Sequence, residues 1–85
     1  MKTTYMIRLD PDRSITGQKS DKEKTFIHND VQNIVTIINE DIKKLNPVPE
    51  GMCGFTISSY DNTNKEIKHD EGFLTIQNGE IQPWH

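Results

Sequence analysis

The sequence has one cysteine, few aromatic side chains and no long apolar run. Because Cys53 is alone, no internal disulfide can form and folding does not depend on an oxidising compartment. No apolar run approaches the roughly 18 residues that span a bilayer, and no apolar segment follows Met1–Tyr5 as it would in a secretory signal. We therefore expect a cytoplasmic protein without a membrane partner.

Apolar residues are also scarce, at 32 % of 85 residues, and the formal net charge is −3. A chain of this length forms one domain, 1–85, with a thin core. A thin core has little room for a deep substrate pocket, which disfavours an enzyme, and it makes self-association a plausible source of extra stability. The negative charge disfavours nucleic acid, whose binding depends on Lys and Arg neutralising phosphates. A protein partner fits the charge better.

Side chains that could carry catalysis or bind a metal are few and poorly spaced. A nucleophilic cysteine needs a base, but the histidine nearest to Cys53 in sequence is His69, and we expect Cys53 to be a small buried residue. His28, His69 and His85 show no paired metal-ligand spacing, and one cysteine cannot complete a thiolate zinc site. The sequence therefore predicts no catalytic residue, no metal and no cofactor.

Alternating apolar and polar residues, bounded by turn signals, predict a small antiparallel sheet. The expected strands are Thr4–Leu9, Thr25–His28, Phe55–Tyr60, Phe73–Gln77 and Glu80–Trp84. The segment Lys65–His69 is either a weak strand or part of a longer loop. The polar segment Ser14–Lys24 is expected to be a mobile loop.

Asn29 is expected to cap a helix that ends at Asn46 and is stopped by Pro47. Its apolar stripe consists of Val31, Ile34, Val35, Ile38, Ile42 and Leu45. A single amphipathic helix must bury its stripe against a sheet. The predicted fold is therefore α+β, with one amphipathic helix packed on one face of a small antiparallel sheet. The order is β-β-α-β-β, with room for one further short strand, and the other sheet face is wet.

The dipeptide Asn78-Gly79 stands between two alternating runs and predicts a hairpin with a two-residue type I′ turn. The register of such a turn places Leu74, Ile76 and Ile81 on the inner face. It places Phe73 opposite Trp84 on the outer face. Pro83 cannot donate a ladder hydrogen bond, so the last strand should lie at the sheet edge.

The outer face of this hairpin is the predicted partner-binding surface. Phe73 and Trp84 would be its anchors, with Tyr60, Thr75 and Gln82 around them, since aromatic residues are enriched where binding energy concentrates. In the alternative interpretation the pair only stabilises the hairpin or is covered by Ser14–Lys24. The edge strand could accept a strand from a partner, and a homodimer could form through this edge or through the aromatic face.

In size, acidity and one-helix-on-a-sheet layout, the chain resembles the small inhibitors that phages and mobile elements encode against host machinery, including anti-CRISPR proteins. The resemblance implies a non-enzymatic protein that acts by occupying the surface of a partner protein. One alternative is a small nucleic-acid-binding regulator that uses the aromatics and the locally basic loop containing Arg13, Lys19, Lys22 and Lys24. Another is a homo-oligomeric structural protein.

Overall fold

The computed structural model describes residues 3–13 and 20–82, and within them one helix packs on a five-stranded antiparallel sheet. The elements are β1 (Thr4–Asp10), β2 (Lys24–Asn29), α1 (Ile34–Ile42), β3 (Gly51–Tyr60), β4 (Glu66–Gln77) and β5 (Glu80–Ile81). The strand order in the sheet is β2-β1-β3-β4-β5. The predicted α+β fold is confirmed. The segment Lys65–His69, which the sequence left open, mostly belongs to the first half of β4.

The inner face of the sheet carries the core. Its buried side chains are Ile7, Leu9, Cys53, Phe55, Ile57, Leu74, Ile76 and Ile81, each at most 9 % exposed. They alternate along their strands with outward residues, as the period of a strand requires. The helix covers them with Ile38 and Ile42, both 0 % exposed, and Leu45 lies just beyond the helix end at 5 %.

The start of the helix differs from the prediction. Asn33, not Asn29, is the N-cap, and its side-chain oxygen accepts hydrogen bonds from Val35 N and Thr36 N. Asn29 remains in β2 because the ladder with β1 continues past it, with Asp30 N donating to Thr3 O at 2.8 Å. Asp30 then turns the chain with a φ of 55°. A cap residue and a strand end look alike in sequence when both are asparagine.

The end of the helix also comes earlier than predicted, since Lys43 is the C-cap and Lys44 N and Leu45 N continue the turn through i→i+3 bonds to Asp41 O and Ile42 O. Within the predicted stripe, Val35 is 39 % exposed and Val31 precedes the helix. No helix among the described residues is long and apolar enough to cross a membrane.

The hairpin prediction is confirmed where the structure describes it. Ile76 pairs with Ile81 and Gln77 with Glu80, and Asn78 and Gly79 have φ values of 57° and 77°, as a type I′ turn needs. The predicted pairing of Phe73 with Trp84 lies outside the described residues.

The outward side chains of β3 are more buried than predicted. Thr56 and Ser58 were expected to face water but are 5 % and 2 % exposed. β3 is the central strand of five, and long side chains from neighbouring segments lie over it: Arg13 bonds to Thr56 and His69 to Ser58. Strand order, which the local pattern does not contain, decides this burial.

Candidate functional site

The structure brings together part of the predicted partner-binding surface. Gln82 N donates to Thr75 O at 2.9 Å, so these two residues are adjacent, and Phe73 lies two positions from Thr75 on the same face. Tyr60 stands apart, because the residue opposite Phe73 is Gly54, six positions from Tyr60 along β3. That separation is about 20 Å in a strand. Trp84 and residues 14–19 of the loop proposed to cover it lie outside the described residues.

Arg13, predicted in a solvated basic loop, is buried on the outer face with its side chain 6 % exposed. Its guanidinium donates to Glu23 Oε2 at 3.0 Å, to Phe55 O at 3.3 Å and to Thr56 Oγ1 at 3.2 Å. The side chain crosses Gly54, where an added Cβ would lie 2.7 Å from Arg13 Cβ. Gly54 is therefore the strand position that makes room for this arginine.

The basic character of the loop is reduced further at Lys22, whose Nζ lies 3.0 Å from Asp12 Oδ2. Arg13 and Lys22 thus both face carboxylates of the same chain. A phosphate would have to compete with Glu23 and Asp12 for them.

Asp10 anchors the base of the same loop. Its carboxylate is 0 % exposed and accepts hydrogen bonds from Ser20 Oγ, Ser20 N and Asp12 N. Burial by itself raises the pKa of this carboxyl, but the bonds from Ser20 and Asp12 and the charge of Arg13 outweigh it and hold the pKa below its usual value.

Asp10 should therefore make the protein sensitive to acid. In the unfolded chain the carboxyl titrates near its ordinary pKa of 3.8, so the stabilisation is complete above that pH and is lost as the pH falls through the lower folded-state pKa. We expect Ser20→Ala to shrink the difference between the urea midpoints at neutral and acid pH, because it removes the hydroxyl donor. An unchanged difference would mean that Asp10 is not the responsible group.

A polar cluster near the exposed edge of the outer face has the residue types of a hydrolytic site. Ser58 Oγ lies 3.1 Å from His69 Nδ1, and His69 Nε2 lies 3.6 Å from Glu71 Oε2. However, Ser58 is 2 % exposed, and Glu66 Oε1 also lies 3.2 Å from His69 Nδ1. A substrate would not reach the hydroxyl, so the cluster ties β3 to β4.

Cys53 is 1 % exposed, as expected from its sequence surroundings. Burial raises the pKa of its thiol to about 11, so the thiol stays protonated at neutral pH and is a poor nucleophile. Among residues 3–13 and 20–82, no group of three or more His, Cys, Asp and Glu side chains is arranged to hold a metal ion.

Within residues 3–13 and 20–82, most of the outer edge of β4 has no neighbouring strand. β5 pairs only with Ile76 and Gln77, so in the described part of the chain Glu66–Leu74 pairs with β3 alone. Because Thr75 O faces β5 and backbone groups alternate in direction along a strand, the N–H and C=O groups of His69, Glu71 and Phe73 point out of the sheet. These are the groups that an added strand would bond.

A groove of about 600 Å³ runs beside this edge on the inner face, between the start of α1 and the sheet. Its lining residues are Tyr5, Ile34, Val35, Phe55, Ile57, Ser59, Lys68, Asp70 and Glu71. Phe55, one of the lining residues, pairs with Gly72 of β4, where an added Cβ would lie 3.3 Å from the Phe55 ring. Lys68, Asp70 and Glu71 form a charged rim, in which Lys68 Nζ lies 3.7 Å from Asp70 Oδ2.

The predicted edge position of the last strand is confirmed, since β5 ends the strand order. The sequence interpretation missed the groove, because it buried Val35 in the stripe, and it did not show that β5 pairs with only the end of β4. The available signal was the run of charged and polar residues 68–71 directly before Gly72, which lacks the alternation of a strand with one buried face. No protein-family model, no curated protein and no solved structure matches this chain.

Proposed function

We propose that this protein is a non-enzymatic protein-binding module that captures an extended segment of a partner along the open edge of β4. The single observation that carries the proposal is the juxtaposition of that edge with the apolar groove between α1 and the sheet, here called the β4 groove. Strand addition needs both features, because main-chain hydrogen bonds supply affinity and side-chain pockets supply specificity.

The backbone of β4 offers a regular set of bonding groups. His69, Glu71 and Phe73 lie in the undistorted part of the β3–β4 ladder, which shifts register only between Ser59 and Tyr60. In the part of the chain that the structure describes, an added strand would therefore meet three consecutive outward positions in normal geometry, each with one donor and one acceptor.

The β4 groove would receive alternate side chains of the added segment. A residue placed opposite Gly72 on the inner face would lie beside Phe55, because Gly72 has no side chain between them. Val35, 39 % exposed, would contact the same segment from the helix side. On the outer face Phe73 would flank the segment, which gives this predicted anchor a role even though Tyr60 lies far from it.

The mode of action that we propose is inhibition by occupancy of a partner's surface in the cytoplasm. The support is the resemblance in size, acidity and layout to inhibitors of phages and mobile elements, including anti-CRISPR proteins, together with the burial of Cys53 and Ser58. Nucleic acid is a weaker candidate because Arg13 and Lys22 face carboxylates and the rim of the β4 groove includes Asp70 and Glu71.

The test is differential capture from a lysate of the source organism or its host, with mass spectrometry. Val35→Glu places a charge in the β4 groove, and Glu71→Pro removes an outward N–H without removing a bond to β3. Val48→Glu is the matched control, since Val48 is 43 % exposed and lies outside this groove. We expect one protein to be retained by wild type and Val48→Glu and to bind both other variants about tenfold more weakly or worse.

Amide hydrogen exchange distinguishes strand addition from other contacts. With the captured partner bound, the amides of His69, Glu71 and Phe73 should gain protection, while those of the β2 edge should not. A partner that binds all three variants equally, or that leaves these amides unprotected, would contradict the proposal.

A further inference from the structure

The opposite edge of the sheet, β2, is chemically unlike β4. It pairs with β1 on one side, and among the described residues no other strand pairs with it. Its side chains include one lysine and no carboxylate, and Ile27 is 62 % exposed. Edge strands are usually protected by charge, which β4 has and β2 largely lacks.

The direction of the backbone groups on β2 follows from one hydrogen bond. Asp30 N donates to Thr3 O across the β1–β2 ladder. Because groups alternate in direction along an antiparallel strand, the N–H and C=O groups of Thr25, Ile27 and Asn29 point away from β1. No hydrogen bond within residues 3–13 and 20–82 engages these backbone groups from the open side.

We propose that β2 is a self-association edge, at which two copies of this chain pair antiparallel about a two-fold axis through Ile27. In this register Ile27 lies opposite Ile27 of the second copy, and Thr25 lies opposite Asn29. Thr25, Ile27 and Asn29 of each copy, whose backbone groups point out of the sheet, then all form hydrogen-bonded pairs with the second copy. The interface is isologous and closes at two copies.

Charge complementarity selects this register over its neighbours. Just beyond the paired residues, Lys24 lies beside Asp30 of the second copy at both ends of the interface. Asp30 is exposed and follows β2 directly, where its φ of 55° turns the chain. Its Oδ1 accepts a hydrogen bond from Thr3 N, so its other carboxylate oxygen is the one that would meet the lysine. Moving the axis by one residue to Phe26 would instead place Lys24 opposite His28 and would leave Ile27 opposite Thr25. The chosen register pairs apolar with apolar and cation with anion.

The association is independent of the proposed function, because it uses the other edge of the sheet. The thin core gives a physical reason for it, since small domains gain stability by association.

Sedimentation of the full chain over a concentration series tests the proposal. We expect a monomer–dimer equilibrium for wild type. The dissociation constant of the dimer should be at least about tenfold higher for Ile27→Lys, which places two like charges opposite each other at the axis. Ile67→Lys is the matched control, because Ile67 is 56 % exposed on β4, and it should dimerise like wild type. Lys24→Glu should also weaken the dimer, since it apposes two carboxylates at each end.

A cross-linking variant tests the register itself. Directly opposed residues of a bonded antiparallel pair have Cα atoms about 5.5 Å apart, within disulfide reach. Ile27→Cys should therefore oxidise to a covalent dimer through residue 27, whereas Ile67→Cys should not. Wild type that remains monomeric at high micromolar concentration, equal effects of the two lysine variants, or equal cross-linking of the two cysteine variants would each overturn the proposal. If Ile27→Lys loses the dimer but still captures the partner protein, then self-association at β2 and partner capture at β4 are separate properties.

Discussion

Replacing Arg13 by methionine should lower the free energy of unfolding by about 3–5 kcal/mol. The substitution leaves Asp10, 0 % exposed, and Glu23, whose side chain is 16 % exposed, without their cation. It also removes the donor to Phe55 O and Thr56 Oγ1. Breaking a buried pair from one side is costly because the remaining charge stays desolvated. Urea denaturation followed by far-UV circular dichroism measures the change.

The matched control for Arg13 is Lys22→Met. Lys22 and Asp12 form an ion pair of similar length, but their side chains are 63 % and 49 % exposed, and such pairs contribute about 0–1 kcal/mol. If the two variants lost similar amounts of stability, Arg13 would have to be a surface residue in solution, contrary to its contacts in the structure.

Replacing His28 by leucine should cost a similar amount, about 3–5 kcal/mol. His28 Nε2 lies 2.8 Å from Asp41 Oδ2, and this contact joins β2 to α1. The Asp41 side chain is 0 % exposed, and its other oxygen, Oδ1, has no hydrogen-bond partner among the described residues, with Lys44 Nζ 3.5 Å away. Without His28 the carboxylate would be buried with little compensation.

The double variant His28→Leu, Asp41→Leu should recover much of that loss, because it removes the buried carboxylate together with its hydrogen-bonding partner and puts apolar groups in their place. His69→Leu is the control for the histidine change. His69 also faces carboxylates, at Glu66 and Glu71, but it is 45 % exposed, so its loss should cost under about 1 kcal/mol. A double variant no more stable than His28→Leu would contradict this account of Asp41.

Much of the fold could be predicted from sequence because its signals are local. Alternation located β1, β2 and β3 to within a few residues, and Asn78-Gly79 set the register of Ile76 with Ile81. The helix was correct in type but its start was four residues too early. Asn29 and Asn33 are both acceptable caps, and only the pairing of Asn29 with Thr4 decides between them.

The candidate site was harder to predict from the sequence than the fold, because the residues that form it are far apart along the chain. The groups that meet at the outer face, such as Arg13 with Glu23 and Thr56, come from distant segments. The free edge of β4 depends on how far β5 extends beside it, which is a property of strand lengths rather than of residue type. Phe73, Thr75 and Gln82 lie near one another, as expected, because the hairpin fixes their positions, whereas Tyr60 was included only because it is aromatic and outward.

The contrast between the two sheet edges also bears on filament growth. A sheet that is open at both ends can in principle add copies without limit, as in amyloid. A symmetric pair formed at β2 would present only its two β4 edges to further copies, and each carries three carboxylates against one lysine. Like charges along these outer edges would repel, so stacking would end at a finite particle. Substitutions that neutralise Glu66, Asp70 and Glu71 together would be the ones expected to turn that particle into a fibre.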